Sequence, residues 1–170
     1  ANPNAETNQR WTALMYSSQI GKFEIVKFLL KHGAKVDAQN DLGMSPKMYA
    51  AKNGHLEIVK LLLERGAKVD LISRNGSNSL IWATRAGHEK ITELLIEVGA
   101  KMDFFESEFQ RSPLLLAAMY GRESTVKKLL SSGANLEVID SNGANALMLA
   151  LNNNHLKISD LLIKAGVSID

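Results

Sequence analysis

Apolar residues recur three and four positions apart along residues 54–70, GHLEIVKLLLERGAKVD: Leu56, Val59, Leu62 and Leu63 fall on one side of a helix and most charges fall elsewhere. The same pattern stands at residues 21–37, GKFEIVKFLLKHGAKVD, and at 87–103, GHEKITELLIEVGAKMD. The glycines that end this helix, Gly33, Gly66, Gly99, Gly133 and Gly166, are spaced by 33, 33, 34 and 33 residues. Gly21, Gly54, Gly87 and Gly121, followed by Asn154, precede it at the same spacings. Self-similarity at a fixed interval of this length predicts a stacked-repeat architecture.

A shorter helix precedes each long one. In the second unit Ser45 reads as its N-cap and Pro46 as its first residue, where a missing N–H costs nothing. Gly54 ends it, and Asn154 stands in that place in the last unit because Asn tolerates the left-handed region. After Gly66, residues 67–76 read as an extended stretch closed by the Asn75, Gly76 turn, with counterparts in Asp41, Leu42, Gly43 and in Ser141, Asn142, Gly143. Two short helices cannot bury their apolar faces alone, but stacked pairs with axes roughly 8–10 Å apart can.

These positions carry a resemblance. The chain resembles the ankyrin-repeat family over nearly its whole length. Ser45, Pro46 and Ser112, Pro113, Leu114 and Thr12, Ala13, Leu14 stand where the family writes T-P-L, and Gly54, His55 and Gly87, His88 where it writes G-H. The resemblance implies an all-α solenoid of helix-turn-helix units with β-hairpin-like loops. Residues 1–170 form one domain, with units at about 8–40, 41–73, 74–107, 108–140 and 141–170, and residues 1–7 read as the remnant of a preceding unit. Neither end shows a polar cap, so a segment of a longer array is expected. There are departures from the family. Met15, Met48, Ile81, Leu115 and Met148 replace the histidine of T-P-L-H, which puts loop stiffness in question. Arg10 and Gln110 replace hairpin glycines, and unit four has one extra residue within 104–111. Lys47 takes a usually apolar place, where it is expected to snorkel or to meet a carboxylate.

Composition narrows the function. Of 170 residues 45% are apolar and 22% charged, normal for a globular protein, and a net charge of +2 argues against a nucleic-acid or anionic-membrane surface. No apolar run approaches the roughly 18 residues of a membrane span, so no membrane insertion is expected. The absence of cysteine removes disulfides and thiolate sites and fits a cytoplasmic or nuclear setting. The sequon at Asn75 reads as chance. His55, His88 and His155 share one repeat position, so stacking keeps them apart; they read as loop braces rather than metal ligands, and His32 as a helix C-terminal residue. No catalytic set, metal site or cofactor loop is found, and no enzyme is expected.

In a solenoid, function sits on surfaces that stacking leaves open. The resemblance implies a concave groove of hairpin tips and first helices. Mapped there, the partner-binding candidates are Trp11, Ile20, Leu42, Met44, Lys52, Arg74, Arg85, Phe109, Arg111, Met119 and Tyr120. Apolar clusters, tryptophan, tyrosine and arginine are the residues on which interfaces concentrate their energy. Tyr16, Tyr49 and Trp82 recur in register and read either as an aromatic groove floor or as packing between units. Three functions compete. The expected one is a monomeric protein-interaction scaffold that holds a partner's extended segment or loop. The others are a nucleotide or small-ligand sensor using Lys52, Arg85, Arg111 and a tryptophan, and a structural spacer in a cytoskeletal or channel protein.

Overall fold

The computed structural model describes residues 2–167; Ala1 and residues 168–170, the extremes of the expected remnant and of the fifth unit, lie outside the described residues. Each period folds into a helix pair: α1 (Ala13–Gln19) with α2 (Phe23–Lys31), α3 (Pro46–Lys52) with α4 (Leu56–Glu64), α5 (Ser79–Ala86) with α6 (Glu89–Glu97), α7 (Pro113–Met119) with α8 (Glu123–Ser131), and α9 (Ala146–Asn152) with α10 (Leu156–Lys164). No strand forms among the described residues. The nearest approach to one is an isolated bridge between Glu6 and Thr12. The loop after Gly66 is not extended throughout, because a turn at Val69 and Asp70 interrupts it.

Local chemistry sets the short helices. Thr12, Ser45, Asn78, Ser112 and Asn145 each accept the backbone N–H three residues on, and Pro46 and Pro113 open their helices. The long helices have no side-chain cap. A histidine braces the start of α4, α6 and α10: the Nε2 atoms of His55, His88 and His155 lie 2.9, 3.1 and 3.1 Å from the carbonyls of Gln19, Lys52 and Met119 in the preceding unit. Gly54 must be glycine twice over, since its φ is +81° and a Cβ there would stand 2.6 Å from the His88 ring. Arg10, Gln110 and Asn154 adopt positive φ without being glycine.

First helices pack on first helices and second on second. The first-helix layer approaches more closely, so the stack curves with α1, α3, α5, α7 and α9 on its inner side. One aliphatic core runs through all five pairs, from Leu14 and Val26 through Leu62 and Leu95 to Leu129 and Leu162. A second cluster, Met15, Met44, Met48 and Tyr49 with Trp11 and Trp82 against it, belongs to the first three pairs. The outer faces of the stack expose Ile25 and Phe28 on α2, and Met148 and Leu151 on α9. Their counterparts one unit inward, Ile58, Leu61, Leu115 and Ala118, are buried.

Lys47 corrects the sequence reading. Its side chain neither snorkels nor pairs directly with a carboxylate. It is 0% exposed and donates to the carbonyls of Lys68 and Val69 at 2.8 and 2.7 Å. Burial, opposed by Asp37 and Asp70, lowers its pKa to about 8.

Candidate functional site

The hairpin tips form the rim of the inner face, and one sequence position holds each of them. Asn40 Oδ1 accepts the N–H of Leu42 and Met44, both at 3.0 Å. Asp140 does the same for Asn142 and Ala144, and the Glu106 carboxylate for Glu108 and Phe109. Thr7 accepts Trp11 N–H, and Ser73 donates to the Ser77 carbonyl. These bonds supply the stiffness that the missing histidines put in question. Successive tips are tied by backbone bonds from Asp41 to Gln9, Arg74 to Leu42, Ser107 to Asn75 and Ser141 to Phe109. The extra residue of unit four lies in its tip, where Glu106 bonds Arg111, against Asn40 with Met44 in unit two.

Between the second and third pairs the inner face opens into a cavity of about 230 Å³. Leu42 and Met44 come from one tip, Ser73, Arg74 and Asn75 from the next, Tyr49 and Lys52 from α3, and Trp82 from α5. A shallower depression continues from it along the helix ends, over Lys52, Asn53, Trp82, Arg85 and Ala86. Leu42 is 62% exposed beside it. The walls are aromatic and sulfur-bearing, and their geometry is specific. Trp11 lies against both Tyr16 and Tyr49, each at 4.6 Å between ring centroids. Asn40 Nδ2 donates to Tyr49 Oη at 2.8 Å. Burial raises the Tyr49 pKa, with the Asn40 bond acting against it and Tyr16 adding to it. Lys52 Nζ rests 4.7 Å over the Trp82 ring, a cation–π contact.

The expected site residues divide. Leu42, Met44, Lys52, Arg74, Tyr49 and Trp82 meet at the cavity, and Arg85 lines its extension. Met44 is corrected: it is 4% exposed and belongs to the cavity's inner wall, not to an open rim. Tyr49 is likewise buried, whereas Tyr16, expected on the floor beside it, is exposed; Trp11, not a continuous Tyr16–Tyr49–Trp82 line, joins the rings. Trp11 packs behind the cavity, and Ile20 is exposed at the end of α1. Phe109 and Arg111 are corrected as free contacts. The Arg111 guanidinium lies 4.4 Å over the Phe109 ring and 3.1 Å from the Asp140 carboxylate, whose side chain is 1% exposed. Burial pushes the Asp140 carboxyl up, but the N–H bonds of Ala144 and Asn142 and the Arg111 charge outweigh it and hold it below its ordinary value. Met119 is half-buried against the core, and Tyr120, at the end of α7, does not line the cavity. Sequence reading missed Ser73 as a wall residue and the tip-holding column of Thr7, Asn40, Ser73, Glu106 and Asp140. Following the repeat period through that column would have found it, because every member is polar.

Among the described residues no group of three or more His, Cys, Asp or Glu side chains could hold a metal ion, and no helix is long and apolar enough to cross a membrane. The family model for ankyrin repeats matches residues 1–73, 34–106 and 80–170. A 62-residue stretch is 36% identical to an ARF GTPase-activating protein Git from Drosophila melanogaster; the match spans 36% of this chain and 8% of that relative. Ankyrin repeats are generic protein–protein interaction modules and as a family are generally non-enzymatic. The matched family models cover the chain from end to end, and the helix pairs, braced turns and curved stack carry the same pattern: this chain belongs to the ankyrin-repeat family.

Proposed function

We propose that this chain is an interaction scaffold whose working face is the inner side of the first three helix pairs, where it holds an extended segment or loop of another protein. The observation that carries the reading is the aromatic and methionine cavity between Leu42 and Trp82, with an exposed leucine at its mouth. Exposed apolar surface beside immobilised aromatic rings is what a binding face offers, since little side-chain freedom remains to be lost on contact. A cavity of about 230 Å³ suits one large side chain. The arginine that a nucleotide site would recruit from unit four, Arg111, is already tied to Asp140.

The test is photo-crosslinking in cells that make the protein, with the crosslinking amino acid at position 42 or at position 142. Protein adducts are expected from position 42 and not from position 142. Adducts from position 142 alone, or equally from both, would remove the reading.

A further inference from the structure

We infer, on the reading just given, that the segment seated in this trough is an acidic, apolar stretch of polypeptide: one large apolar side chain fills the cavity and an aspartate or glutamate within two residues of it meets the cations at its edge. Three cations surround the cavity and its extension, Lys52, Arg74 and Arg85. Among the described residues Lys52 and Arg74 have no carboxylate partner. Arg85 reaches only Glu108, at 4.0 Å with both side chains exposed, a pairing of little strength. Among the described residues Asp41, at the tip beside Leu42, pairs with none of them.

One further feature points to an occupant that brings negative charge. Lys52 lies over the Trp82 ring, so its ammonium is held at the cavity by an aromatic face alone and is open to a carboxylate. Unit four shows the contrast: there the chain supplies its own buried carboxylate, Asp140, to its own arginine. At the trough, among the described residues, Lys52 and Arg74 have no carboxylate and Arg85 has only an exposed one, so charge complementarity selects an acidic partner.

The experiment is selection of random-sequence peptides displayed against the intact chain, followed by affinity measurement on three proteins: the parent, Leu42→Asp, and the double variant Lys52→Glu with Arg74→Glu. All three substitutions are at exposed positions, and circular dichroism verifies that each variant is folded. The selected peptides are expected to share an apolar residue with Asp or Glu within two positions, to lose binding to Leu42→Asp, and to bind the double variant at least about tenfold more weakly. Raising the ionic strength is expected to weaken them in the same direction. Peptides that depend on Leu42 but carry no acidic bias and bind the double variant as well as the parent overturn the charge inference while leaving the groove reading in place. Selected peptides indifferent to Leu42, or no selected peptide at all, overturn both.

Discussion

The inner face of the first three helix pairs and that of the last two have the same backbone and opposite habits. In the first, Tyr49, Met44 and Trp82 gather around an open cavity with Trp11 packed against them, and among the described residues Lys52 and Arg74 lack carboxylate partners. In the second, the floor positions Leu116 and Leu149 are aliphatic and buried, and Asp140 holds Arg111 as well as its own loop. One period thus yields a face with unused contacts and a face whose contacts are internal. The difference lies in where the tip arginine stands: Arg111 follows the positive-φ tip residue, at the position that Trp11, Met44 and Ser77 hold in the first three units. Arg111 meets Asp140, 29 residues later; Arg74 directly follows the tip-holding Ser73 and, among the described residues, meets no carboxylate.

The sharpest way to break this contrast is at Asp140. Asp140→Ala leaves Arg111 without its carboxylate and two tip N–H groups without an acceptor, and is expected to lower unfolding stability in urea by about 3 kcal/mol. Asp140→Asn is expected to cost less, because Asn40 performs the same loop-holding task in unit two. A stability loss under about 1 kcal/mol for the alanine variant would mean that the second face is not internally tied.

Lys47 gives the next largest effect. Its folded-state pKa of about 8 lies below the ordinary lysine value of 10.5, so between these values the unfolded chain binds the proton that the folded chain has released. Stability from this group therefore rises with pH, is complete above 10.5 and is lost as pH falls through 8. Urea titrations at pH 7 and about 9.5 are expected to show a gain of about 1–2 kcal/mol that is absent in Lys47→Met. Staying below pH 10 keeps Tyr49, whose raised pKa acts in the opposite sense, out of the comparison.

Smaller effects sharpen the picture of the tips. Arg10 and Gln110 adopt φ of 59° and 53°, so Arg10→Gly and Gln110→Gly are each expected to stabilise by up to about 1 kcal/mol in thermal unfolding, one in each region. Lys52→Ala is expected to change stability by less than about 0.5 kcal/mol, since it removes an exposed cation–π contact and no ion pair.

The architecture was legible because the chain states it five times. Glycine spacing, the leucine stripe and the serine caps each point to the same helix pair, and the histidines at one repeat position sit where a loop brace was expected. The site was legible only in outline. Position along the period says which column faces the groove, but not how deep a side chain sinks into it. Met44 is sealed because Tyr49 and Met48 close around it, and Arg111 is occupied because an acid lies at a tip one unit away. Lys47 misled for a related reason: a lysine in an apolar column suggests a charged tip seeking water or a carboxylate, whereas two loop carbonyls stand within reach of its ammonium.

Both tryptophans of the chain, Trp11 and Trp82, lie in the second apolar cluster at the first three pairs, so their fluorescence reports on that face. The most direct measurement is the emission spectrum during titration with a binding peptide, in the parent chain and in Trp82→Phe. A saturable change in the parent that is largely lost in Trp82→Phe is the result expected if the partner fills the cavity. Saturating binding by an independent method with no change in tryptophan emission would place the partner elsewhere and contradict the account.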